Sequence, residues 1–289
     1  MQKIKIQRRI IMNNKYFITN DNVKLNYIEA GKGTPLVMIP GWSQSAAEYK
    51  HQIDEFASKY HVYAIDMRGH GESEKPAYGY KVSRLAKDVY DFINYISDDK
   101  VYLLGHSMGC SVIWNLIELF GEHKIRKIIL VDQVPFIYDN PDWDEEERKA
   151  AGPIFDAQVT FETINGLSDP SSAMTVVDSL VGTMVTQAVK KEDFDWIISE
   201  NIKMPSKYAA LLLFNHSVSD WRDLIPRITL PTLIIGGEAS IFSVDALKWI
   251  HTQIRGSQLE IFSEEEGGSH FMFFENPKKF NAIVEKFLG

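Results

Sequence analysis

A single cysteine, Cys110, stands among 289 residues. One thiol excludes an internal disulfide and suits a reducing compartment. Basic residues are in deficit, 31 lysines and arginines against 39 aspartates and glutamates, for a net charge of -8. A phosphate backbone demands a basic face, so nucleic acid is excluded as the main partner. Long apolar runs are missing as well. No window approaches a membrane span, and the basic N-terminus (Lys3, Lys5, Arg8, Arg9, Lys15) is not followed by an apolar stretch of signal-peptide length. These absences predict a cytoplasmic protein with no membrane partner and leave oligomeric state open. Met12 stands just before the first strand-like residues, and residues 1 to 11 are therefore expected to be an upstream-start extension. No internal repeat or low-complexity tract is present.

The material for a core is ample. Hydrophobic residues make up 45% and aromatics 12% of the chain, and the 24% charged content is that of an ordinary soluble domain. Short β-type runs alternate with amphipathic helical stretches, the pattern of a mostly parallel eight-stranded sheet flanked by helices. The strands are expected at Tyr16 to Thr19, Lys24 to Glu29, Leu36 to Ile39, Val62 to Asp66, Val101 to Gly105, Ile128 to Asp132, Thr232 to Gly236 and Gln258 to Phe262. Helices are expected at Ala46 to Ser58, Val82 to Ile96, Met108 to Phe120, Val244 to Ile254 and Pro277 to Leu288, the last opening on a proline whose missing NH costs little in a first turn. Between Asp132 and Thr232 the alternation breaks. Helical, aromatic-bearing sequence predicts a cap or lid over residues 135–215, set into a core made of residues 1–134 and 216–289. Its expected pieces are the acidic segment from Asp142 to Glu147, read as a solvated helix face, then Ser171 to Ala188, Phe194 to Ile202 and Ser206 to Asn215.

Gly105-His106-Ser107-Met108-Gly109 closes a buried-type strand and opens a helix. A serine on such a tight turn sits at strained dihedrals, and glycines on either side keep side chains from colliding, so Ser107 is the candidate nucleophile. A serine hydroxyl needs a base to take its proton. His270, in the loop Gly267-Gly268-Ser269-His270-Phe271 after the last strand, comes in the chain order the motif expects; His106 is too close in sequence, and His70 lies in the turn after the fourth strand. The oxyanion needs two NH donors. Met108, the residue after the nucleophile, supplies one, and Trp42 in Pro40-Gly41-Trp42 supplies the other, with Gly41 letting the backbone approach the substrate. The Trp42 indole either lines an acyl pocket or packs structurally. Cys110 is read as packing under the helix rather than as a catalytic thiol.

Taken together, Pro40-Gly41-Trp42, the run from Asp66 to Ser73, Gly105-His106-Ser107-Met108-Gly109 and Gly268-Ser269-His270-Phe271 make the chain resemble the α/β-hydrolase-fold proteins. The resemblance is to the group of carboxylesterases, lactonases and cofactor-free haloperoxidase-like perhydrolases, and covers nearly everything from Lys24 to Leu288. It implies that the Asp66 to Ser73 turn is mainly structural, with Arg68 paired locally. Ser107 separates the chain from dehalogenases and epoxide hydrolases of the fold, which carry aspartate there. In many relatives the triad acid follows the seventh strand, where this chain has Gly236-Gly237-Glu238-Ala239-Ser240, with Ser240 in the aspartate's place. Other members place it after the sixth strand, where Asp132 stands. Asp132 is the favoured acid, and Glu238 and Asp245 are the alternatives; the latter also reads as a helix N-terminal residue.

The expected function is hydrolysis of a small to medium, largely apolar carboxylic ester or lactone through an acyl-enzyme on Ser107, His270 and Asp132. No cofactor and no metal is required. Phe136, Ile137, Tyr138, Trp143, Phe155, Phe161 and Met174 imply an apolar pocket, with Gly41, Trp42, Phe136 and Tyr138 expected against the substrate, although several of these residues suit packing within the lid itself. The alternatives are a perhydrolase, acyltransferase or C–C bond hydrolase on the same triad, or a non-catalytic ligand receptor.

Overall fold

Eight apolar runs pair into one sheet in the computed structural model, which describes residues 13–289. The extension expected over residues 1–11 lies outside the described residues. The strands are β1 (Asn13–Ile18), β2 (Lys24–Gly31), β3 (Pro35–Ile39), β4 (His61–Ile65), β5 (Val101–His106), β6 (Ile125–Val131), β7 (Thr232–Gly237) and β8 (Gln258–Phe262). They lie in the order β1-β2-β4-β3-β5-β6-β7-β8. The first two pairings, β1 with β2 and β2 with β4, are antiparallel, and all the others are parallel. All six residues of β5 are buried, as a strand with neighbours on both edges and helices on both faces requires.

Helices α1 (Lys50–Phe56), α2 (Val82–Ile96) and α3 (Met108–Phe120) follow in the first half of the chain, and α9 (Val244–Gln253), α10 (Met272–Glu275) and α11 (Pro277–Leu288) in the last part. Val82, Leu85, Ala86, Val89, Phe92 and Ile93 of α2 recur at helical spacing and form its buried stripe. The helix expected over 46–58 is divided. Residues Ala46–Tyr49 form a 3-10 turn, held where the Asp66 carboxylate accepts from the Ala46 NH at 2.7 Å, and α1 follows it. Between β6 and β7 lie five helices, α4 (Glu145–Ala151), α5 (Ala157–Ser168), α6 (Ala173–Gly182), α7 (Lys191–Asn201) and α8 (Ser206–Ser217). The expected boundary at residue 215 falls inside α8.

Two of these helices show how local chemistry decides. The acidic run is a helix start: Asp144 accepts from the Glu147 NH while the Glu147 carboxylate accepts from the Asp144 NH, both at 2.9 Å, and the negative first turn complements the helix dipole. Helix α5 has no counterpart among the expected pieces. Its β-branched Val159, Thr160, Thr163 and Ile164 and its Gly166 are weak helix formers, and it forms because Asp156 caps the Val159 NH at 2.8 Å and Leu167 is buried.

Candidate active site

The carboxyl ends of β3, β5, β6 and β7 converge on one point of the sheet, the usual place for a ligand crevice in an open parallel sheet. Ser107 sits there between β5 and α3 with φ 53°, a left-handed conformation that a side chain adopts only under strain. Close packing holds it. A Cβ on Gly105 would stand 2.6 Å from the Gly109 backbone, and one on Gly109 would stand 2.3 Å from the Ile39 carbonyl oxygen. Both glycines are therefore fixed by backbone approach, which lets α3 start directly above β5. Ser43 (φ 56°) and Asp132 (φ 51°) are strained in the same way, so three of the four non-glycine residues at positive φ among the described residues cluster here.

Asp132 and His270 are fully buried, and Nδ1 of His270 donates to Oδ2 of Asp132 at 2.6 Å. The bond leaves Nε2 as the free ring nitrogen, and that buried atom has no hydrogen-bond partner among the described residues. The histidine loop reaches β7 through glycine: a Cβ on Gly237 would lie 2.0 Å from the Gly268 carbonyl oxygen, which accepts instead from the Ala239 NH at 2.9 Å. Burial pushes His270 down to about 3, favouring the neutral imidazole. Burial likewise raises the Asp132 carboxyl well above its usual range, and the hydroxyl bond from Ser240 opposes that rise.

Glu238 is exposed, and its NH belongs to the β8 side, donating to Phe262. Asp245 is exposed and pairs with Lys248 at 3.2 Å on α9. Neither meets His270 in the structure. Glu264, Glu265 and Glu266 form an exposed 3-10 turn whose last residue pairs with Lys279.

Gly41 stands over the nucleophile, since a Cβ there would lie 2.9 Å from both the Ser107 Cβ and the Gln44 side chain. Oε1 of Gln44 accepts from the Gly41 NH at 2.9 Å and lies 2.8 Å from Nδ1 of His106. The other nitrogen of His106 donates to the His270 carbonyl oxygen at 2.8 Å. One residue thus spans three loops: those of Gly41, Ser107 and His270. The turn carrying Trp42 is also tied to α7, through Ser43 to Asn201 at 2.8 Å, Ser45 to Glu200 at 2.7 Å and Asn201 to Glu48 at 3.1 Å. Glu48 is fully buried, and desolvation followed by the nearby Glu200 charge raises its carboxyl well above the usual range.

A cavity of about 300 Å³ opens beside Ser107. Trp42 lines it, and its indole NH donates to the Ala209 carbonyl at 2.8 Å, so that residue both packs and lines. The rest of the lining comes from Ile137, Ile154 and Phe155, from Leu180, Thr183 and Met184 of α6 and the turn after it, from Leu213 and His216 of α8, and from Ile241 and Phe242 after β7. Phe136 and Tyr138, expected against the substrate, do not line this cavity. Ile137 is buried and lines the cavity, while Phe136 packs on Tyr138 and Trp143, with ring centroids 6.3 and 5.4 Å away. Of the other expected pocket residues, Phe155 lines the cavity, Phe161 and Met174 are exposed, and Trp143 stacks under Arg222 at 4.2 Å. Sequence reasoning missed Gln44, His216 and the participation of Ser240. Only the position of Gln44 three residues after Gly41 offered a signal.

Cys110 is buried, with its thiol directed at the Gly105 carbonyl at 3.0 Å, and desolvation raises it well above the ordinary thiol range. Arg68 is not paired locally, as expected of it, but with Asp88 of α2 at 2.6 Å and Asp21 at 2.9 Å. Among the described residues no group of three or more His, Cys, Asp or Glu is arranged to hold a metal ion, and no helix is long and apolar enough to cross a membrane.

A family model described as alpha/beta hydrolase fold matches residues 34–277. The soluble epoxide hydrolase of Corynebacterium sp. (strain C12) is 34% identical over 112 residues, a match covering 39% of this chain and 39% of that protein. The chain thus matches well under half the length of that relative. Among solved structures, a bromoperoxidase from Bacillus anthracis superposes with a TM-score of 0.86 at 22% identity, over 96% of this chain and 99% of that one. An esterase from Exiguobacterium antarcticum gives 0.85 at 22% identity, over 96% and 100%. At such identities the likeness carries the fold alone.

Proposed function

Since the chain belongs to the alpha/beta hydrolase fold family, we propose that it is a serine hydrolase acting on a small to medium, largely apolar carboxylic ester or lactone. The observation that carries this reading is the buried Asp132–His270 hydrogen bond, tied through the His106 contact to the turn of a strained Ser107 that lines an apolar pocket. In the reaction, Ser107 Oγ attacks the carbonyl carbon as Nε2 of His270 takes its proton. The backbone NH groups of Met108 and Trp42 hold the oxyanion, and Asp132 orients the ring and stabilises the imidazolium. Collapse of the tetrahedral species returns the proton to the leaving alkoxide. Water, deprotonated by the same imidazole, then attacks the acyl-enzyme and releases the acid. Residues 135–215 act as a cap that supplies most of the pocket wall, and the enzyme works in the cytoplasm.

Chemistry argues against carrying over the epoxide hydrolase activity of the Corynebacterium relative. An epoxide opened by a serine alkoxide would leave an ether, which water attacking an acyl carbon cannot release. Turnover of p-nitrophenyl acetate and butyrate, with loss in Ser107→Ala, tests the proposal. No Ser107-dependent burst or turnover on short esters or lactones would overturn it.

A further inference from the structure

Residues 183–190, between α6 and α7, form no helix or strand, yet Thr183 and Met184 at their start line the pocket beside Ser107. Met184 and Val185 pack on the core, and apolar packing is non-directional. A directional tie follows at Thr186. Glu275, the last residue of α10, accepts from the Thr186 NH at 3.0 Å through Oε1 and from the Thr186 hydroxyl through Oε2. The Thr186 hydroxyl oxygen in turn accepts from the Ala188 NH at 3.2 Å, so its hydrogen is directed to the carboxylate. Oε1 of Glu275 also accepts from the Ser269 hydroxyl at 2.5 Å. Ser269 is fully buried and brackets the proposed base, because its oxygen accepts from the Phe271 NH at 3.0 Å, across His270. One half-buried carboxylate thus joins the wall of the pocket to the loop that carries His270.

We propose that Glu275 is a positioning residue whose carboxylate fixes the pocket wall at Thr183 and Met184 relative to His270, and so governs both the turnover of every ester and the acyl length the pocket prefers. The inference rests on the acyl-enzyme reading of Ser107. Hydrogen bonds to a carboxylate are roughly twice as strong as neutral ones, and a displacement of about 1 Å at a reacting group costs on the order of a hundredfold in rate. Helix α10 also meets α7, where Trp196 stacks on Phe274 with ring centroids 5.8 Å apart. That stack does not use the carboxylate, so loss of Glu275 acts on the turn after α6 and on the histidine loop. Without its tie the turn moves outward and the pocket accepts a longer chain.

The test follows kcat and KM for p-nitrophenyl acetate, butyrate, hexanoate and octanoate, with Tm recorded for each variant. Glu275→Ala should lower kcat on every ester by about tenfold or more. It should also raise the octanoate-to-butyrate ratio of kcat/KM by at least about fourfold, the worth of one buried methylene. Ser269→Ala, which cuts only the histidine side, should lower kcat and leave that ratio in place. Thr186→Val, which cuts only the hydroxyl on the pocket side, should move the ratio and cost the acetate less than Ser269→Ala does; these two variants serve if Glu275→Ala does not fold. Glu275→Gln keeps an oxygen for Ser269 and for the Thr186 NH, and should retain more of both properties than Glu275→Ala. A Glu275→Ala or Ser269→Ala protein that loses Tm but keeps its kcat when folded would overturn the inference, as would a ratio unmoved in Thr186→Val. Thermal shifts of Ser107→Ala and of the double variant Ser107→Ala, Glu275→Ala with the same esters separate the two proposals. A binding preference that moves to longer chains with Glu275→Ala, in a parent without turnover, would support the positioning role and sink the acyl-enzyme. Turnover with an unmoved preference would do the reverse.

Discussion

Ser240 donates its hydroxyl hydrogen to Oδ2 of Asp132, the oxygen that also accepts from Nδ1 of His270. The residue standing where many relatives carry their acid therefore supports a carboxylate projected from the neighbouring strand. A carboxylate taken out of water needs such donors to stay ionised, because desolvation alone drives it toward the neutral acid. Ser240 and Asp132 act on the proposed base as one unit.

Asp132→Asn is expected to lower kcat by about 10⁴-fold, the cost of losing a triad acid, while Glu238→Gln and Asp245→Asn leave it within a few-fold. Ser240→Ala should cost less, about tenfold, since it removes one hydrogen bond to a charged group. In the Asp132→Asn background, Ser240→Asp should recover part of the loss by offering a carboxylate from β7. Steady-state hydrolysis of a p-nitrophenyl ester reads all five variants, and near-parental activity in Asp132→Asn would remove its assignment.

The glycines should separate activity from stability. In Gly41→Ala the new Cβ meets Ser107 Cβ and the Gln44 amide at 2.9 Å, so kcat should fall by about tenfold or more, with a smaller Tm loss than in Gly109→Ala, where the contact is closer. In Gly109→Ala it meets the Ile39 carbonyl, where only backbone can yield, and a loss of about 1–3 kcal/mol is expected from overpacking. Denaturant unfolding beside ester hydrolysis distinguishes them, and equal Tm losses in both variants would contradict the packing argument.

Arg68→Met should destabilise the fold by about 1.5–3 kcal/mol, because it removes the Arg68 hydrogen bonds to the buried Asp88 carboxylate, which keeps Arg84 as its remaining partner. The folded fraction should keep its kcat, as Arg68 serves the turn after β4 and not the pocket. A kcat loss at full occupancy of the folded state would give the turn a role in chemistry.

Two pH dependences follow from buried histidines. The neutral His270 imidazole is the active form, and its lowered pKa moves the acidic limb of kcat/KM below the ordinary histidine range near 6.5. A limb observed near pH 6.5–7 would contradict this. His70, held down to about 4 by burial, donates from Nδ1 to the Arg68 carbonyl at 2.9 Å. Its pKa is lower folded than unfolded, so below about pH 6.5 the unfolded chain binds the extra proton and the fold loses stability, by about 1.4 kcal/mol per pH unit until the folded pKa is approached. Relative to His70→Gln, the parent's stability should therefore decline between pH 6.5 and 4.5. Parallel stability curves for the two proteins would exclude the linkage.

Strand and helix positions were legible because each depends on a short stretch of chain. Val82–Ile96, Met108–Phe120 and Pro277–Leu288 have the limits that periodicity, the turn glycines and Pro277 dictate. Ser107 was legible for the same reason, since its flanking glycines answer to a local steric demand. By contrast, α5 is made of weak helix formers and exists through its cap and its packing, and Phe136 and Tyr138 look like pocket residues but lie outside the cavity lining, with Phe136 packed against Tyr138 and Trp143.

By itself the sequence determined the alternating α/β order, the serine turn and the histidine after the last strand, all encoded in residues close together along the chain. Only the tertiary structure decided which carboxylate meets His270 and that Ser240 supports it. Those contacts join residues 138 and 108 positions apart, and no pattern in the sequence records which distant strand ends the sheet will bring together.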